Sequence, residues 1–212
     1  FAAILDALDG RIARLIKGTS EFGKELDSLT DFVSFGIAPA IILYFWELNT
    51  YGKLGWAITL IYSVCCVLRL ARFNLIKIDE KQAWKNNYFE GVPSPAGGLL
   101  ILMPLIYELA DLNLNINIKT FTPYFTILIA ILLVSKLPTL SLKKISISPK
   151  STVFILLGVG MIFISLLFYT FKALLLLGII YFISLPVSYF MYKKQNKTEN
   201  LETSDDEHED VL

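Results

Sequence analysis

The sequence predicts an all-α, polytopic transmembrane helical bundle, and three observations carry that prediction. Of the 212 residues, 55% are hydrophobic, and the mean hydropathy is +0.59. Six stretches approach the roughly 20 apolar residues needed to cross a hydrocarbon core: 32–48, 54–73, 96–112, 121–135, 152–169 and 173–192. The basic residues gather in alternate loops, as the positive-inside rule requires. Within lipid, every backbone polar group must find an internal partner, which favours helices.

Taken in order, residues 1–5 (FAAIL) have the character of a helix tail. Phe1 is not a natural initiator, so an N-terminal helix is expected to be missing or truncated. Span 54–73 carries adjacent Cys65 and Cys66. On a helix they point in different directions, so they read as small core residues rather than as a disulfide or metal pair. The polar loop 77–95 ends in Gly91, Pro93 and Pro95, which break any helix before span 96–112. Span 121–135 is short, so its ends extend or it tilts among its neighbours. The loop 136–151 is basic and suits anionic headgroups. Trp46, Trp56, Tyr107 and Tyr192, near span ends, are ordinary interface anchors. Residues 1–192 form one transmembrane domain, and 193–212 an acidic tail expected to be disordered.

Putting the 6–31 segment in the cytoplasm leaves only Lys53, Lys119 and Lys172, of 19 basic residues, on the other side. The tail then also lies in the cytoplasm. The single histidine, His208, is in that tail, which argues against histidine catalysis or zinc chemistry in the membrane body. No nucleic-acid partner is expected.

The stretch 6–31, DALDGRIARLIKGTSEFGKELDSLTD, is the chemical focus. Asp6 and Asp9 are three apart, Asp27 and Asp31 four apart, spacings that put each pair on one helix face. If those faces meet, four carboxylates converge and repel unless cations neutralise them. Oxygen-only ligation favours two hard divalent cations, Mg²⁺ or Mn²⁺, with Ca²⁺ also compatible. Two such ions near a membrane surface suit phosphate chemistry, and one carboxylate could take a proton from an attacking hydroxyl. Any DxxD pair alone would read as solvated helix ends beside Arg11, Arg14, Lys17 and Lys24. Acids within a bundle can also mark an ion pathway. Transport, however, favours acids at the bilayer midplane, and these lie at helix ends.

The full pattern D-x2-D-G-x2-A-R-x8-G-x3-D-x3-D, from Asp6 to Asp31, resembles the signature of the CDP-alcohol phosphatidyltransferase family. That resemblance implies a bundle of this family's type, with residues 1–192 as its catalytic domain. It implies transfer of a phosphatidyl group from a CDP-lipid to an alcohol, with release of CMP. Asp6, Asp9, Asp27 and Asp31 match the metal ligands, and Asp31 the general base. Gly10, Ala13, Arg14 and Gly23 match positions lining the nucleotide site.

The acceptor depends on other stretches. DSLTDFVSFGIAPA (27–40), RLARFN (69–74), FEGVPSPAGG (89–98) and VSKLPTLSLKK (134–144) are similar to membrane-integral bacterial phosphatidylserine synthases. Residues 145–212 match that group only as hydrophobic helices. The implied substrates are CDP-diacylglycerol and L-serine, in a bacterial inner membrane with the site facing the cytoplasm and a homodimer as the assembly. Glycerol 3-phosphate or an inositol phosphate is the alternative acceptor. A serine site needs a cation for the carboxylate and acceptors for the ammonium. Arg69, Arg72, Asn74 and Ser94 are the residues expected to supply such contacts. Snorkelling to the headgroups is the plain alternative for both arginines.

Overall fold

The computed structural model describes residues 21–75, 88–112, 117–140 and 149–209. Helix α1 (Glu21–Asp31) runs through a π-helical turn (Phe32–Ile37) into α2 (Ala38–Trp46). A 3₁₀ turn (Leu48–Tyr51) leads to α3 (Lys53–Leu75). Strand β1 (Tyr88–Glu90) precedes α4 (Ser94–Ile101) and α5 (Met103–Leu109). Helix α6 (Ile118–Val134) is followed by β2 (Pro138–Leu140), α7 (Pro149–Phe168) and α8 (Thr170–Glu209). Among the described residues, three stretches are long and apolar enough to cross a bilayer, 25–46, 53–75 and 170–194, with shorter apolar helices at 118–134 and 156–168. The protein is thus an integral membrane protein of helical class, as the sequence predicts.

Three details differ from the sequence reading. The expected span 96–112 is two short helices that meet at Leu102. Pro104, in the first turn of α5, has no N–H to continue the α4 ladder. The last helix runs on past the expected span end at 192 as far as Glu209. No Gly or Pro lies between Val187 and Glu209 to stop the helix. Third, β1 and β2 pair antiparallel, Tyr88 opposite Leu140 and Glu90 opposite Pro138, a ribbon no sequence periodicity announced.

Helix α3 is the axis of the bundle. Its buried residues Gly55, Thr59, Tyr62, Cys66 and Arg69 recur at three- and four-residue spacing, forming one stripe. Leu54, Leu60, Ile61, Val64 and Leu68 stay exposed, as side chains bathed in lipid should. Helix α6 packs along α3 and buries Thr122, Thr126, Ile129, Ala130 and Leu133. Lipid removes the hydrophobic drive between helices, so small and weakly polar contact residues make the close approach. Thr59 and Thr126 return their hydroxyls to the carbonyls of Gly55 and Thr122 at 2.9 Å, so neither buried threonine leaves its hydroxyl idle. A Cβ at Gly55 would overlap the Leu48 carbonyl, so only glycine admits the 3₁₀ turn there.

The π-helical turn is tied to α3 by one bond. Pro39 cannot donate to the Phe35 carbonyl four residues back. The fully buried Tyr62 hydroxyl donates to that carbonyl at 2.9 Å. Tyr62→Phe removes the donor and keeps the ring, so it should destabilise the protein by about 1–3 kcal/mol. A detergent melting curve that does not move would contradict that role.

The two ends of the bundle are marked by different polar ties. At one, Lys119 pairs with Glu108 at 3.4 Å and lies 5.7 Å from the centre of the Trp46 ring. At the other, Arg72 Nη1 donates to the Val134 carbonyl at 2.8 Å and Asn74 donates to Ser28 Oγ at 2.9 Å.

Candidate functional site

The second end holds every predicted site residue that the structure describes. Asp6, Asp9, Gly10, Ala13 and Arg14 lie outside the described residues. On α1, Gly23 and Asp27 are exposed, whereas Asp31, one turn beyond Asp27, is half-buried where α1 meets the π-helical turn. One Asp31 carboxylate oxygen is shut off from solvent. Among the described residues no three acidic, cysteine or histidine side chains gather; half of the motif's aspartates lie beyond them.

Arg69 is brought inside by the α3 stripe and is only 8% exposed. Its Nη1 donates to Ser94 Oγ at 2.7 Å, and the Phe73 ring lies against the guanidinium, 5.4 Å to its centre. Ser94, fully buried, opens α4 between Pro93 and Pro95. Asp31 and Cys66 lie within electrostatic reach of Arg69, and Cys66 also contacts Ser94.

The β-ribbon sets the position of Ser94. Gly91 has φ +75°, a left-handed conformation that glycine adopts without penalty. A Cβ there would meet the Leu133 and Ser135 carbonyls at 2.8 Å. The Gly91 N–H donates to the Leu137 carbonyl at 2.8 Å, and Thr139 Oγ1 donates to the Gly91 carbonyl at 2.9 Å. The stretches 89–98 and 134–144 are therefore two halves of one clamp. At the packed helix contact, Gly98 leaves room for the Phe35 backbone, which a Cβ would approach to 3.2 Å.

The predicted residues thus divide. Asp31, Arg69 and Ser94 gather around Cys66. Arg72 and Asn74 spend a donor each on structural ties, to Val134 and Ser28, at the rim. Sequence reasoning gave no role to Tyr181 of α8, which lies within electrostatic reach of Arg69. Its position was signalled: Gly178, Tyr181, Leu185 and Ser188 recur at three- and four-residue spacing, and all but Tyr181 are buried.

These features define an integral membrane protein with a polar site sunk into one end of its helical bundle. The chain belongs to the CDP-alcohol phosphatidyltransferase family, whose sequence profile matches residues 1–190. Over 152 residues it is 41% identical to the CDP-diacylglycerol–serine O-phosphatidyltransferase of Mycobacterium leprae, covering 70% of this chain and 49% of that protein. The protein of the same name from Helicobacter pylori is 34% identical over 161 residues, 76% of this chain and 66% of the relative. That of Methanocaldococcus jannaschii is 42% identical over 99 residues, 47% and 44%. The chain spans about half the length of the mycobacterial relatives it matches.

Proposed function

We propose that this protein transfers the phosphatidyl group of CDP-diacylglycerol to L-serine, giving phosphatidylserine and CMP. The observation that carries this reading is the meeting of three distant stretches, 27–40, 69–74 and 89–98, at one buried point. There Asp31 lies within electrostatic reach of the Arg69–Ser94 pair. The names of the bacterial and archaeal relatives support the acceptor.

Asp27 and Asp31, one turn apart with one exposed and one half-buried, are oxygen donors of the kind hard cations take, so they fit a divalent-metal site. With Asp6 and Asp9 they would hold two Mg²⁺ or Mn²⁺ ions, Ca²⁺ also suiting the donors. When bound, such ions neutralise the diphosphate of the CDP-lipid. Gly10, Ala13, Arg14 and Gly23 would line the nucleotide, with small side chains admitting it and the Arg14 fork binding phosphate. Asp31 takes the proton of the serine hydroxyl as its oxygen bonds to the phosphorus carrying diacylglycerol. The bond from that phosphorus to the bridging oxygen breaks, and CMP leaves with the electron pair. The single histidine, His208, belongs to the C-terminal tail, and Cys66 packs within the helical core, which favours direct transfer. The same reading takes the protein as a homodimer of a bacterial inner membrane, its site facing the cytoplasm.

The test offers full-length protein CDP-diacylglycerol in mixed micelles with L-serine, glycerol 3-phosphate or inositol phosphate. Phosphatidylserine and CMP should form in the serine arm alone, and a chelator should stop both. Product from glycerol 3-phosphate alone would end the serine reading.

A further inference from the structure

Two buried donors at this site have no hydrogen-bond partner among the described residues: Arg69 Nε and the Tyr181 hydroxyl. They come from different helices, α3 and α8, yet lie within electrostatic reach of each other. A buried donor left idle is rare in a folded protein and calls for an explanation. Arg69 is already fixed in direction, since Ser94 accepts from Nη1 and Phe73 covers a face. Its Nε–H is the part left over. Tyr181 packs its ring on the core and brings only the hydroxyl to this point.

We infer that Arg69 Nε and the Tyr181 hydroxyl together hold the carboxylate of the acceptor, one donor to each oxygen. This rests on the serine reading above and assigns its specificity to a residue outside every motif. A planar carboxylate offers two acceptor oxygens, which matches two donors. Among the described residues, the carboxylate facing Arg69 is that of Asp31. One cation beside one carboxylate suits an acceptor that is itself a zwitterion. The terminal phosphate of a phosphorylated acceptor would present three oxygens and nearly two negative charges, a poorer match to one guanidinium N–H and one hydroxyl than a planar carboxylate. With its carboxylate held at Arg69, an acceptor as short as serine keeps its hydroxyl near Asp31.

The experiment compares full-length wild type with Tyr181→Phe, using L-serine and L-serinamide as acceptors and CDP-diacylglycerol as donor. Tyr181→Phe should raise KM for L-serine about tenfold, the scale of one hydrogen bond to a charged group. KM for CDP-diacylglycerol and kcat at saturating serine should stay within about twofold, as for loss of ground-state binding alone. The penalty should vanish with L-serinamide, whose neutral amide has no carboxylate to lose. Equal penalties with both acceptors, or a parallel loss of CDP-diacylglycerol binding, would make Tyr181 a structural residue and overturn the inference. Wild type that makes no phosphatidylserine sinks the serine reading and this inference with it. Wild type that makes it while Tyr181→Phe matches it on every parameter sinks the inference alone.

Discussion

Asp31→Asn is expected to lower kcat for CMP release by about 10²- to 10⁴-fold, the range that a positioned proton acceptor contributes. The amide keeps the size and planarity of the carboxylate but cannot take the serine proton. Asp31 sits at the end of α1, half-buried, with one oxygen closed to solvent. A group held there keeps its direction, which an exposed acid such as Asp27 would not do without a ligand. CDP-diacylglycerol binding, followed by protection against heat, separates a chemical defect from a folding defect. Turnover within tenfold of wild type would remove Asp31 from the proton transfer.

Arg69→Met should be the second most damaging change, raising KM for L-serine by about 10- to 100-fold through loss of charge-assisted bonds. The variant also strands Ser94, whose hydroxyl is fully buried and accepts from Nη1. Arg69→Lys keeps the charge and loses the fork, so it should recover only part of the loss. Arg72→Gln provides the contrast. Arg72 holds the Val134 carbonyl at the end of α6, so its loss should lower the melting temperature and affect both substrates alike. Selective loss of serine affinity in Arg72→Gln, with Arg69→Met unaffected, would exchange the roles of the two arginines.

The sequence made some of this legible and hid the rest for definable reasons. Asp27 and Asp31 could be singled out before any contact was known, because they belong to a full pattern of four aspartates in fixed register and not to a lone acidic pair. The two arginines could not be told apart, because a spacing of three puts both near one face. What separates them is the stripe Thr59, Tyr62, Cys66 and Arg69, which buries one and leaves the other at the rim. Long-range ties left no local trace: Tyr62 reaches Phe35, and Thr139 reaches Gly91. Pro104 was visible, but its effect depends on whether a neighbour lets the helix continue. Tyr181 lay in an apolar run where hydropathy outweighed its one polar atom. Its spacing from Gly178 and Ser188 held the information all the same.

The ribbon between Tyr88–Glu90 and Pro138–Leu140 has a consequence for membrane parity. Residues before α4 hydrogen-bond to residues after α6, so both sets stand at the same water interface. Whatever lies between them must cross the bilayer an even number of times. The broken pair α4–α5 goes out and α6 comes back, with the turnaround marked by the Glu108–Lys119 ion pair beside Trp46. Segment 94–109, expected as a span from its apolar run and broken at Leu102, is therefore one complete passage. Three strand residues on each side fix the count of crossings where apolar length alone leaves it open.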